Sequence, residues 1–116
     1  MIQIIKEPVL RTFLHEVAQK CFGDMVKAVV DIERGVMAIG AELHVDEEQL
    51  LLRDGSRQQD LWGINIYQDM TAPDWIEFDS MINIRPNQNN RSRCVEDVDI
   101  QKKIINTVHS LVSDAV

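Results

Sequence analysis

From Val9 to Phe22 the apolar residues fall at Val9, Leu10, Phe13, Leu14, Val17, Ala18, Cys21 and Phe22, and toward the other end at Ile104, Ile105, Val108, Leu111 and Val112. Both sets recur at three and four residues, the spacing that lines one face of an α-helix. Between them the period changes to two. Val26, Ala28, Val30 and Ile32 alternate with other residues, residues 61 to 67 read LWGINIY, and residues 75 to 85 read WIEFDSMINIR. A chain with amphipathic helices at its ends and alternating strands in its middle buries both patterns by laying the helices on a sheet. The expected fold is a single α+β domain over residues 1–116: a mostly antiparallel sheet of about four to five strands, with two long helices (N- and C-terminal) packed on one face.

Local signals refine this frame. The segment IQII is a short strand before Pro8, and Pro8 suits the first turn of the first helix, where its missing N–H has no partner to lose. Gly23 is the expected helix stop. Residues 25 to 43 predict a hairpin around Glu33, Arg34 and Gly35, and the second strand, apolar on both faces, belongs in the sheet interior. Asp46 followed by Gln49 resembles a capping box for a short helix through Leu50, Leu51 and Leu52; a strand turning at Asp54 and Gly55 is the alternative. Asp97 is placed to cap the last helix.

Charge and composition exclude several classes of function. Twelve basic residues stand against nineteen acidic ones, a net charge of -7, which disfavours nucleic acid and anionic membrane surfaces because both require a cationic footprint. No apolar run is long enough to cross a membrane, and MIQIIKEPVL lacks the basic start and long apolar core of a signal peptide. A cytoplasmic protein is expected. Cys21 and Cys94 have no ligand spacing and read as free thiols in a reducing compartment.

Chemistry is sought first where charge departs from the average. Residues 82 to 93, INIRPNQNNRSR, carry Arg85, Arg91 and Arg93 with Asn87, Asn89 and Asn90 and no acid. The planar guanidinium fork matches carboxylate or phosphate, so this loop can receive an anion; pairing with Glu96, Asp97 and Asp99 downstream is the structural alternative. Alternation along residues 75 to 85 places Ile76, Phe78, Ser80, Ile82 and Ile84 on the core side and Trp75, Glu77, Asp79, Met81, Asn83 and Arg85 on a polar side. Asn65 with Tyr67, and Glu42 with His44, share faces of their own strands in the same way. The expected ligand site is therefore Trp75, Glu77, Asp79, Asn83, Arg85, Arg91 and Arg93. Glu42 and His44 are weak candidates for a metal, and neither a metal nor another cofactor is expected.

Trp62, in phase with Ile64 and Ile66, reads as core, whereas Trp75 with Tyr67 and Met81 reads as an amphipathic patch for a subunit contact or a ligand. His15 and His109, beside apolar helical positions, read as partly buried structural histidines. No GxSxG turn and no phosphate-binding glycine motif is present.

The strings DMVKAVVDIERGVMAIGAELHVDEE, DGSRQQDLWGINIY and WIEFDSMINIRPNQNNRSR resemble, over residues 1 to 112, a family of small uncharacterised prokaryotic proteins classed as a domain of unknown function. The resemblance implies a single-domain protein and assigns no activity, cofactor or catalytic residue. The last strand, arginine loop and helix are also similar to the C-terminal part of barrel-type endoribonuclease toxins, which are usually basic where this chain is acidic. The leading expectation is a binding or interaction module, homo-oligomeric, that holds a small anionic ligand or a partner chain. The alternative is an enzyme: a metal-assisted hydrolase using Glu42, His44, Glu77 and Asp79, or a nuclease using the arginine loop.

Overall fold

A computed structural model describes residues 1–113, and in it the two periodicities become two kinds of layer. The elements are β1 (Gln3–Ile5), β2 (Val9–Leu10), α1 (Arg11–Gln19), β3 (Val26–Asp31), β4 (Val36–Ile39), α2 (His44–Arg53), β5 (Leu61–Ile66), β6 (Ile76–Glu77), α3 (Val98–Leu111) and β7 (Val112–Ser113). Five strands form an antiparallel sheet in the order β1-β4-β3-β5-β6, and β2 pairs with β7 in a small parallel sheet. The domain is α+β, as the sequence predicts.

The hairpin forms where the alternation places it, with Val30 opposite Met37. Its turn needs Gly35 at φ 68°, a left-handed conformation that costs glycine little. Buried Asp31 braces the corner by accepting the backbone N–H of Glu33 and of Arg34, each at 2.9 Å. β4 lies inside the sheet, as its two apolar faces require.

One face of the sheet presents Ala28, Val30, Met37, Ile39, Trp62, Ile64 and Ile66 to Leu14, Val17 and Ala18 of α1 and to Ile104, Val108 and Leu111 of α3. The opposite face, with Val29, Ala38 and Leu61, is covered by Leu51 of α2. Residues 46 to 53 are thus helical, as the short helix expected there, and the alternative of a strand turning at Asp54 and Gly55 is set aside. The Asp97 side chain caps α3 by accepting from Asp99 N at 2.8 Å and Ile100 N at 3.4 Å.

Two boundary expectations are corrected. Pro8 lies outside α1, because Val9 and Leu10 are drawn into pairing with Val112 and Ser113. Asp46 is not the cap of α2, which starts two residues earlier at His44. Asp46 instead places its charge in the first turn, where the helix dipole favours it.

The larger correction concerns residues 75 to 85, of which only Ile76 and Glu77 are strand. Beyond Glu77 the chain leaves the ladder and crosses β5 at Gly63, so closely that a Cβ there would stand 2.5 Å from the Ser80 Cβ. Side chains then replace the missing strand. The Asn83 amide accepts from Gly63 N at 2.8 Å and donates to Gly63 O at 2.9 Å, and the Arg85 guanidinium donates to the carbonyls of Leu61 and Gln58. Because these polar groups turn inward, the predicted alternation fails: Asn83 and Arg85 are buried, as is Trp75, while Ile84 is 38% exposed.

Candidate ligand-binding cleft

The arginine and asparagine loop is held by its own amides. Asn90 Nδ2 donates to the carbonyls of Asn83 and Cys94, both at 2.7 Å, while its Oδ1 accepts from Glu96 N at 2.8 Å. Asn83 also donates to Arg93 O at 3.0 Å. The Glu96 carboxylate receives the backbone N–H groups of Arg91 and Ser92 at 2.9 and 2.8 Å, and bonds from these two residues hold its pKa below the ordinary value. Asn83, Arg85 and Asn90 are thus consumed in shaping the segment, whereas Asn87, Asn89 and Arg91 are exposed.

The three arginines consequently part company. Arg85 is buried with its guanidinium 4.2 Å from the Trp62 ring centre, so its charge rests on carbonyl dipoles and an aromatic face. Burial lowers its pKa. Arg91 is exposed. Arg93 turns to Asp79, with Nε 2.7 Å from Oδ1. Only Arg93 of the three reaches a cleft where other chemistry gathers.

That cleft opens where α2 stops covering the second face of the sheet. Lys27 of β3 and Asn65 of β5 face each other in register. The first residue of α2, His44, sets Nε2 2.7 Å from Ile64 O, and the crossing loop contributes Asp79, Ser80 and Arg93. Leu43, Val45, Met81 and Ile82 complete a cavity of about 180 Å³. Leu43 is 55% exposed, Val45 44% and Met81 64%, so apolar side chains stand at the rim of a polar floor.

Electrostatics set the character of the floor. Two cations, Lys27 and Arg93, meet one carboxylate, Asp79, which Arg93 already pairs. Lys27 forms no ion pair among the described residues; its ammonium lies 5.3 Å from the Phe22 ring centre. Burial lowers the His44 pKa, Lys27 and Arg93 lower it further, and the Ile64 carbonyl and Asp79 oppose them. With a carbonyl as its partner, Nε2 carries the proton of a neutral ring. Asn65 is 5% exposed, with Nδ2 donating to Glu77 Oε1 at 2.8 Å and Oδ1 unpartnered. Tyr67 donates to the same Glu77 oxygen at 3.0 Å, so Asn65, Tyr67 and Glu77 meet at one carboxylate.

Other expected sites are separated. Glu42 is exposed in the bend before α2, whereas His44 is buried with one ring nitrogen committed, so the two do not share a strand face. No group of three or more His, Cys, Asp and Glu side chains suited to a metal occurs among the described residues. Trp75 leaves Tyr67 and Met81 for the α1/α3 side, where the Arg11 guanidinium stands 4.1 Å from its ring centre and the His109 ring stacks at 5.9 Å. These residues border a larger cavity of about 540 Å³, but Arg11 there is already engaged by the carbonyls of Gln68 and Met70. His15 and His109 are exposed rather than partly buried, and His15 lies 3.5 Å from Asp69. Cys21 and Cys94 are free.

Sequence reasoning missed Lys27 and the rim residues Leu43 and Val45. A signal for the first existed: Lys27 is the one charged residue inside the apolar run from Met25 to Val30. What was hidden was its partner across the ladder.

No helix among the described residues is long and apolar enough to cross a membrane. No curated protein and no solved structure matches the chain. Residues 3–111 match the family described as protein of unknown function (DUF5674), and the chain belongs to that family.

Proposed function

We propose that this domain is a small binding module of the cytoplasm that holds an anionic small molecule in the cleft between β3, β5, the start of α2 and the 79–93 loop. The observation that carries the reading is the sign of the floor. In a chain of net charge -7, the cleft gathers two cations against a single, already paired carboxylate. An anion entering there meets Lys27 without displacing an existing ion pair, and the partly desolvated surroundings strengthen the attraction relative to water. The enzymatic alternatives have less support, because Glu42 and His44 lie apart and Arg93 is tied to Asp79. Two free thiols, Cys21 and Cys94, suit a reducing compartment.

The test is thermal unfolding with small carboxylates and phosphates. A ligand present at about 100 times its Kd stabilises the fold by about 2.7 kcal/mol. The stabilisation is expected to vanish in Lys27→Ala and to weaken in Arg93→Ala. Silence across the panel, or shifts that survive both substitutions, overturns the reading. The exposed Leu43, Val45 and Met81 support a second reading, in which another copy of the chain covers the rim. Sedimentation of Met81→Gln against the parent protein separates the two, since only self-association through this rim predicts a change of mass.

A further inference from the structure

We infer that the cleft and its rim together dock a short segment of a partner protein, one that carries a bulky apolar side chain with carboxylates close to it in sequence. This rests on the anion-binding reading above and enlarges the occupant from a small molecule to a stretch of chain. The rim, the placing of the cations and the size of the cavity each call for the larger occupant.

Leu43 and Val45 at the start of α2 and Met81 in the crossing loop are all exposed and all line one cavity, so they form a single apolar patch rather than scattered residues. Ile84 extends it: its side chain is exposed, and its N–H donates to Met81 O at 3.2 Å. A small anion seated on the floor leaves these side chains in water. A segment that lies across them removes apolar surface on both partners. The cavity beneath measures about 180 Å³, and since about 150 Å³ accepts benzene, it takes one side chain of leucine or phenylalanine size as the anchor.

The cations have separate anchors. The Lys27 ammonium stands by the ring of Phe22, which is exposed and lies outside the cavity lining, whereas Arg93 is held at Asp79. A stretch of chain with carboxylates at more than one position can answer both charges. The pairing with Lys27 displaces no ion pair among the described residues, while a carboxylate at Arg93 competes with Asp79, so the Lys27 contact is expected to dominate. Glu42 and Asp46, exposed beside Leu43 and Val45, repel an acid placed over the start of α2 and so orient the segment.

Charge also selects the kind of partner. A second copy related by a two-fold axis lays the patch against itself and brings Lys27 and Arg93 toward their own equivalents. Nucleic acid and anionic lipid present a field wide enough to meet the whole chain, whose net charge is -7. A short acidic and apolar segment meets only the cationic cleft and its rim.

The probe is a library of random linear peptides displayed on phage and selected on the full chain, with enriched sequences synthesised free and their binding read by fluorescence anisotropy. Enrichment of peptides that set Leu, Phe or Met among Asp and Glu is expected. Their binding is expected to weaken about tenfold in Met81→Gln and in Lys27→Glu, and to weaken likewise when the acids of the peptide are replaced by amides or the salt is raised. Met81→Gln changes an exposed side chain, and the amide peptides test the charge should Lys27→Glu fail to fold. No enrichment, enrichment of basic or uncharged sequences, or binding that survives both substitutions overturns the docking surface. If acetate and inorganic phosphate stabilise the fold through Lys27 while no such peptide is selected, the cleft is an anion site alone and peptide docking is wrong. If Met81→Gln lowers the mass in sedimentation and no peptide is selected, a second copy is the occupant. If neither peptides nor small anions bind, the anion site falls as well.

Discussion

Glu47 is a carboxyl group with no access to solvent, and its burial makes a measurable claim. It lies on the inner face of α2, three residues after His44 and four before Leu51, and its Oε2 accepts the Ala41 N–H at 3.0 Å while Oε1 has no partner. Burial raises its pKa from an ordinary 4.5 to about 9, with the Ala41 hydrogen bond and Lys27 working against the rise. The folded protein therefore binds a proton that the unfolded chain releases. Stability from this group is fully present below pH 4.5 and is lost as pH climbs toward 9. At 1.36 kcal/mol per pH unit the loss is about 3 kcal/mol at pH 7 and about 6 kcal/mol at pH 9. Replacing Glu47 by Gln supplies a neutral side chain of the same shape, whose amide oxygen can keep the Ala41 bond. The variant is predicted to match the parent near pH 4.5 and to exceed it by about 3 kcal/mol at pH 7. Urea unfolding followed by tryptophan fluorescence is the assay, because Trp62 and Trp75 are both buried. Taking the difference between variant and parent at each pH removes the contributions of Glu48 and Asp60, whose pKa values burial also raises. Parallel stability curves from pH 5 to 8 would refute the claim that Glu47 is held protonated.

Removing the Asn83 amide as Asn83→Ala strands Gly63 N and O and Arg93 O, and the loss in chemical denaturation is expected to be on the order of 3 kcal/mol or more. Gly63→Ala drives a methyl into Ser80 and is expected to cost about 2 kcal/mol or more, with the pair Gly63→Ala and Ser80→Gly recovering part of it. Asp97→Ala removes the cap of α3 and is expected to lower stability by about 0.5 to 2 kcal/mol in the same measurement. Arg91→Ala, at an exposed side chain, is expected to change stability by less than about 0.5 kcal/mol, which tells the outward arginine from the buried Arg85.

What could be read in advance was whatever a local period decides. The stripe from Leu14 to Ala18 and that from Ile104 to Leu111 pack on one side of the sheet because i, i+4 neighbours must share a face. The hairpin at Gly35 is equally local. The segment from Trp75 to Arg85 misled because its polar and apolar residues happen to alternate while the backbone leaves the ladder after two residues. Asn83 and Arg85 look like surface groups in the sequence, and what buries them is the unpaired edge of β5, some twenty residues earlier in the chain. The site was legible in part. Asp79 and Arg93 were identified and do come together, whereas Lys27 gained meaning only when β3 and β5 aligned it with Asn65. A long-range register of that kind leaves no trace in either strand alone.

That the cleft beside Lys27 and Asn65 holds an anion is tested by titrating small carboxylates and inorganic phosphate into isotope-labelled protein and following every backbone amide by NMR. Concentration-dependent shifts are expected to concentrate at Lys27, His44, Asn65, Asp79 and Arg93, with the resonances around Arg11, Trp75 and His109 unmoved. Shifts confined to that second group, or none anywhere as the anion approaches saturating concentration, would contradict it.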